Sequence, residues 1–287
     1  MPLRLLVVEG NTRPTRENFK AGYGQTPSEH YANVLMGIAD DAVCDVCFPA
    51  DSGANLPDAG GLAGYDGIAL TGSSLHLYDM TPEITRQIEL ARAAFASGTP
   101  FFGSCWGLQI ASVAAGGDVR KNPRGREFGI ARNISLNEAG KRHPLHQGRP
   151  PAFDAPCAHL DIVAVAPAGA DVLAFNAFAA VQAAEIRKDG GTFWGVQYHP
   201  EFSLSQLAYL FERAETVLID EGFFANPAAR RATAADFNTL EANRARGDIA
   251  WRYGITEDVS RDEYRLTELR NWLALQVRPE KSRRGRR

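Results

Sequence analysis

The chain has 287 residues, 45% hydrophobic and 23% charged, an ordinary globular composition that gives room for one or two domains. Thirty-one Lys and Arg against thirty-four Asp and Glu leave a net charge of −3, which argues against a chain-wide nucleic-acid footprint, and the composition argues against disorder. No apolar run approaches the roughly 18 residues of a membrane-crossing helix.

The charge is unevenly spread. Residues 223–287 hold fourteen Lys and Arg and nine Asp and Glu, a balance of +5, whereas residues 1–222 hold seventeen and twenty-five, a balance of −8. Glycine-rich, strand-rich text also ends near Gly222, so residues 1–222 are expected to form one domain and 223–287 a helical C-terminal extension with a basic tail. The four cysteines make no disulfide framework, and a reducing cytoplasm is the expected compartment.

The N-terminal apolar stretch is interrupted by Arg4 and closed by Glu9, too short for a signal-peptide core, and reads as a buried strand over 3–8. Helical spacing follows at 31–39 (Val34, Leu35, Ile38), then strands at 43–48 and 66–71, the latter running into Gly72-Ser73-Ser74. Thr81-Pro82-Glu83 marks a helix start, and that helix runs through Ile84, Ile88 and Phe95 to a stop at Gly98. A strand at 99–103 leads to a helix at 108–115. This alternation predicts an α/β fold, an open, mostly parallel sheet with helices on both faces.

From 118 to 198 the pattern becomes strands without helices, at 128–135, 159–165, 171–175, 180–186 and 192–198, the mark of an antiparallel excursion. A helical stretch from Leu204 to Leu218 closes the domain. Beyond it, helices are expected at 234–245 and 262–277. The second carries an apolar stripe of Leu266, Leu269, Leu273 and Val277 beside Trp272, to be buried on the main domain or, alternatively, in a homodimer contact. The last seven residues read as a solvated, frayed tail.

The chemistry concentrates in Gly103-Ser104-Cys105-Trp106-Gly107-Leu108-Gln109, between an apolar strand and a helix. Small residues two positions either side of Cys105 permit a sharp turn that projects the thiol, the elbow logic of a nucleophile. A thiol at a helix N-terminus is drawn toward the thiolate, and the Trp106 amide is left to hold an oxyanion. A base is supplied by Tyr198-His199-Pro200-Glu201, where an apolar strand delivers His199 at its C-terminal end and Glu201 can face the same side.

Together these two motifs resemble the class I (triad) glutamine amidotransferases, the domains that serve GMP synthetase, carbamoyl phosphate synthetase and anthranilate synthase, and most of all the stand-alone GMP-synthase-like type. The resemblance spans residues 3–220 and implies a flavodoxin-like fold. It implies a triad of Cys105, His199 and Glu201 that attacks the glutamine side-chain amide, forms a γ-glutamyl thioester and releases ammonia, with no metal or nucleotide required. Gly72 and Trp106 fall at the oxyanion hole, although Thr71-Gly72-Ser73-Ser74 stands where the family often reads Gly-Gly-Pro. Gln109 matches a substrate contact. Ala158-His159-Leu160-Asp161 resembles the family's Ser-His-Gly-Asp, so His159 and Asp161 join the substrate-binding set. Arg126-Glu127-Phe128-Gly129 matches a family turn and reads as structural support.

Other signals read as structure. Cys44 and Cys47 have redox or half-zinc spacing without a second pair, Cys157 is packing, and His143 and His146 lie in a Gly/Pro-rich loop. Gly60-Gly61-Leu62-Ala63-Gly64 has no Lys-Ser/Thr after it and is no phosphate loop, nor does an ATP-pyrophosphatase signature occur. The ammonia acceptor is therefore expected on a partner synthetase or another separate acceptor, with no nucleic-acid or membrane contact. Two alternatives stay open: a hydrolase of another γ-glutamyl amide or peptide, and a non-catalytic binding or regulatory protein on the same scaffold. A PfpI-like protease or chaperone, which shares the Cys elbow without the His-Pro-Glu, ranks last.

Overall fold

The computed structural model describes residues 1–214 and 216–285. Eleven strands occur among them: β1 (Leu3–Val8), β2 (Ala42–Cys47), β3 (Gly67–Leu70), β4 (Phe101–Ser104), β5 (Asp118–Lys121), β6 (Glu127–Leu136), β7 (Ala152–His159), β8 (Asp161–Val165), β9 (Ala170–Phe175), β10 (Ala183–Lys188) and β11 (Gly191–Val196). Nine of them make one sheet in the order β2-β1-β3-β4-β11-β10-β9-β6-β7, and β5 pairs with β8 apart from it. The first five in that order run parallel and the remaining four continue antiparallel.

Period-two alternation divides the core. Leu3, Leu5, Val7 and Phe102 face one layer with Tyr31 and Leu35 of the helix Pro27–Ile38. Leu6, Val8 and Phe101 face the other, with Ile84, Ile88 and Phe95 of the helix Pro82–Ser97. The expected sheet, covered on both faces, is present.

Several elements differ from the expectation. The helix Arg13–Tyr23 has no apolar periodicity, because only Arg16 and Phe19 of it are buried. The strand expected at 159–165 is two strands, β7 and β8, separated at Leu160, and Pro156 obscures β7 in the sequence. In the C-terminal region the helix Pro227–Ala242 starts earlier than expected, because Asn226 caps it and Pro227 occupies its first turn. The stretch expected as one helix at 262–277 is a broken helical run, Asp262–Arg265, Thr267–Asn271, a π-helical segment Trp272–Val277, and Arg278–Arg283.

The apolar stripe of this run packs on the main sheet. Leu266, Leu269, Trp272, Leu273 and Val277 join the core of Leu3 and Phe102, and a Cβ on Gly67 would lie 3.0 Å from both Trp272 and Val277. Phe237, Leu240 and Ile249 build a third core with Leu207 and Phe211. The tail is not frayed over 281–285. Lys281 Nζ donates to the carbonyls of Met1 and Pro2 at 2.9 and 2.7 Å, and Arg284 Nη2 to that of Gly98 at 2.5 Å. These cations satisfy main-chain oxygens beside β1 and β4, which an apolar pattern cannot reveal. Arg286 and Arg287 of the expected tail lie outside the described residues. No helix among the described residues is long and apolar enough to cross a membrane.

Candidate active site

The carboxyl ends of β3, β4 and β11 open onto a cleft of about 920 Å³ lined by Gly72, Cys105, Gln109, His159, Asp161, His199 and Glu201. Cys105 sits between β4 and the helix Trp106–Ala114 with φ +52° and ψ −100°, a left-handed conformation that L residues adopt at a cost of roughly 1–3 kcal/mol. The turn folds tightly on itself. A Cβ on Gly103 would lie 2.6 Å from Gly107 Cα, and one on Gly107 would lie 2.9 Å from Leu70 Cβ, so the small residues of the motif are a steric requirement.

His199 follows β11, and its amide donates to the Pro156 carbonyl of β7 at 2.7 Å. Its Nδ1 is 2.7 Å from Glu201 Oε1; a carboxylate there requires Nδ1–H and leaves Nε2 as the free base. Ser104 Oγ donates to the other Glu201 oxygen at 2.9 Å and is itself 3.1 Å from Tyr31 Oη. Phe202 stacks on the imidazole, with ring centres 3.8 Å apart and planes within 5°. Both His199 and Glu201 are buried, so this carboxylate–imidazole pair operates in a low dielectric.

Burial, with Glu201 as the next contribution, pushes the Cys105 thiol up to about 12, while the Trp106 amide and the Gln197 side chain pull it down. The helix N-terminus draws the thiol toward the thiolate through the Trp106 amide, as expected from the sequence, but withdrawal of the sulfur from water outweighs that pull. In this arrangement the thiol is neutral at pH 7 and contacts the Ala158 carbonyl at 3.8 Å.

Of the expected oxyanion-hole residues, Gly72 lines the same cleft as Cys105 and Trp106 follows Cys105 in the chain. A Cβ on Gly72 would lie 2.6 Å from His199 Cε1, so this backbone is pressed against the imidazole. Asn11 pins the loop: its Nδ2 donates to the Gly72 carbonyl at 3.2 Å, and Ser74 N donates to its Oδ1 at 3.1 Å. The Trp106 indole donates to Gln87 Oε1 at 2.8 Å, and Gln87 Nε2 donates to the Gly10 carbonyl at 3.1 Å, fixing the first residue of the helix.

The expected substrate-binding residues are also brought together. Gln109 Nε2 donates to the Asp161 carbonyl at 3.0 Å and to Gln197 Oε1 at 3.2 Å. His159 is held by Glu127 Oε2 at 2.8 Å and the Asp161 carbonyl at 3.1 Å, so both ring nitrogens already face protein acceptors. Glu127, read from the sequence as turn support, holds that ring. The Asp161 carboxylate meets His76 Nδ1 at 2.6 Å and accepts from Tyr78 Oη at 3.3 Å, and the His76 and Tyr78 rings stack at 5.2 Å.

Sequence reasoning passed over Ser104, Tyr31, Gln87, Gln197 and His76. Only Ser104 and Gln197 carried a signal, as neighbours of the two motifs. Cys44 and Cys47 face opposite core layers of β2, as an i, i+3 pair on a strand must, and so cannot clip one metal ion. Among the described residues no three His, Cys, Asp or Glu side chains form a metal site.

The family described as "Glutamine amidotransferase class-I" matches residues 46–216. The chain is 39% identical over 279 residues to a Pseudomonas "Gamma-glutamyl-L-1-hydroxyisopropylamide hydrolase", covering 94% of this chain and 92% of that protein. It is 35% identical over 142 residues to the glutamine-hydrolysing GMP synthase of Leifsonia xyli, of which it spans only 26%. Among solved structures, a Thermotoga maritima glutamine amidotransferase superposes with a TM-score of 0.63 at 16% identity, covering 96% of this chain and 99% of that one. One from Methylobacillus flagellatus gives 0.60 at 19% identity, covering 83% and 91%; both show the shared fold. The chain belongs to the class-I glutamine amidotransferases.

Proposed function

We propose that the protein hydrolyses a γ-glutamyl amide through a thioester on Cys105. The observation that carries this reading is the His199–Glu201 contact of 2.7 Å in the same cleft as a strained, buried cysteine at a helix N-terminus. In the first step His199 Nε2 takes the thiol proton as sulfur attacks the amide carbon, so the thiolate forms only when its charge passes to substrate. The oxyanion is held by the amides of Gly72 and Trp106, each such donor typically contributing about 10²–10³ in rate. His199 then protonates the departing nitrogen and later activates the water that cleaves the thioester, with Glu201 fixing its tautomer.

The glutamyl end lies against Gln109, Ala158 and Asp161. The Asp161 carboxylate, which already accepts from His76 Nδ1 and Tyr78 Oη, suits an α-ammonium group. With both its nitrogens engaged, His159 acts by holding the 158–161 backbone.

The leaving amine is ammonia if glutamine is the substrate, and a partner synthetase or other acceptor then receives it. The likeness along nearly the whole chain to a hydrolase of a substituted γ-glutamyl amide, against a quarter of a GMP synthase, favours a second reading in which that nitrogen carries a small alkyl group and water is the final acceptor. The four free thiols support action in the reducing cytoplasm.

Glutamate release from glutamine, γ-glutamyl-isopropylamide and a γ-glutamyl dipeptide tests the reading. Turnover of any of them that disappears in Cys105→Ala supports it, and a higher kcat/KM for the alkylamide than for glutamine selects the hydrolase. An intact protein inactive on all three would overturn it in favour of a binding role.

A further inference from the structure

Residues 262–268, beyond the matched family region, reach the back of the turn that carries the base. Arg265 is 4% exposed, and its Nη1 donates to the Pro200 carbonyl at 2.6 Å, between His199 and Glu201. Its Nη2 donates to Asp262 Oδ1 at 2.6 Å, which fixes the guanidinium plane. Arg149 Nη2 donates to the Arg265 carbonyl at 3.3 Å and, with Nε, clamps both oxygens of the buried Glu268 at 2.8 Å. Glu268 in turn accepts from Tyr198 Oη at 3.0 Å, one residue before His199.

The turn is thus anchored group by group. The His199 amide donates to Pro156, the Phe202 amide donates to the His199 carbonyl at 3.1 Å, and His30 Nε2–H donates to the Glu201 carbonyl at 3.0 Å. Pro200 has no N–H to contribute, so its carbonyl governs the plane of the Pro200–Glu201 peptide. Rotation of that plane changes φ of Glu201 and carries its carboxylate away from His199 Nδ1. A guanidinium stays charged at every working pH, which makes it a permanent donor for this carbonyl.

We infer that Arg265 is a positioning residue for the His199–Glu201 pair, and that the C-terminal segment completes the site by holding the Pro200 carbonyl through it. This rests on the hydrolase reading above, since the pair matters only if it moves a proton. A shift of about 1 Å in such a pair costs about 10² in rate.

The experiment compares Arg265→Met, Arg265→Lys and Arg278→Met with the parent protein, measuring kcat, KM and Tm on the best γ-glutamyl amide. Arg278 pairs with Asp41 at 2.6 Å and ties the same segment down far from the turn, so it reports loosening alone. The expected result is a kcat lowered ten- to hundredfold in Arg265→Met and severalfold in Arg265→Lys, with KM within threefold of the parent, while Arg278→Met keeps the parent kcat. The smaller Arg265→Ala should recover part of its kcat in millimolar ethylguanidinium.

A folded Arg265→Met with kcat within twofold of the parent would overturn the inference. So would a kcat loss in Arg278→Met equal to that in Arg265→Met. If Arg265→Met does not fold, an unchanged kcat in Arg265→Lys overturns it equally. A parent inactive on every γ-glutamyl amide sinks the hydrolase reading instead, so the two failures are told apart.

Discussion

The amide of Cys105 donates to the Val196 carbonyl at 2.7 Å, one ladder step beyond the last pairing of β4 with β11. Strand β11 ends there, three residues before His199. Cys105 and His199 are therefore registered by a single parallel strand pair, and the rigidity of that pair holds their relative position.

Gly72 tests the closeness of this packing. A methyl group there would lie 2.6 Å from His199 Cε1, inside any tolerated contact, and the Asn11 bonds keep the loop from yielding. Gly72→Ala is expected to lower kcat by about 10² by displacing the imidazole and to cost about 1–3 kcal/mol of stability. Steady-state kinetics and urea unfolding would check it, and a fully active variant would show that the loop does not constrain His199.

Ser104 gives a milder test. Its hydroxyl is a donor to the buried Glu201 carboxylate, and a hydrogen bond to a charged group contributes about 1.5–3 kcal/mol. Ser104→Ala should lower kcat about tenfold with KM little changed, and Tyr31→Phe should do less because Tyr31 meets Glu201 only through Ser104. Equal effects of the two variants would contradict this order.

The residues readable in the sequence are those whose geometry is local. Gly103, Cys105 and Gly107 announce an elbow because strand, turn and helix are consecutive, and His199-Pro200-Glu201 announces a base and its orienter two positions apart. What stayed hidden is joined across the chain. Tyr31 reaches Ser104 over 73 positions and Arg265 reaches Pro200 over 65, and neither pair leaves a spacing to read. The helix Arg13–Tyr23 was silent for another reason, since it buries an arginine against Asp51 rather than an apolar stripe. The ordering of Lys281 and Arg284 by main-chain carbonyls likewise has no compositional mark.

Buried thiols predict a loss of stability in base. Burial holds Cys47 and Cys105 up to about 12 and Cys44 up to about 11, and raises Cys157, Tyr31 and Tyr198 as well. In the unfolded chain a thiol titrates near 8.5, so between about pH 8.5 and 12 the unfolded state binds fewer protons than the folded one. Stability from these groups is then complete below about pH 8.5 and falls as pH rises through that window. Urea midpoints should decline across it, and more gently in Cys47→Ala. An identical slope in that variant would remove Cys47 from the account.

Cys105 itself allows function and strain to be separated. Its φ of +52° with ψ −100° is tolerated only because the Val196 bond, the two flanking glycines and the helix that starts at Trp106 determine the turn from both sides. Cys105→Ala removes the thiol but keeps a Cβ in the same strained conformation, so amide hydrolysis should fall by at least about 10³ with Tm close to that of the parent. Cys105→Gly removes the thiol and the Cβ together. Glycine loses more chain entropy on folding, about 0.5–1 kcal/mol in ordinary positions, yet relief of a strain of roughly 1–3 kcal/mol outweighs that loss here. Cys105→Gly should therefore be the more stable of the two inactive variants, by about 1 kcal/mol in urea unfolding. The opposite order would mean that the elbow stores no strain at Cys105.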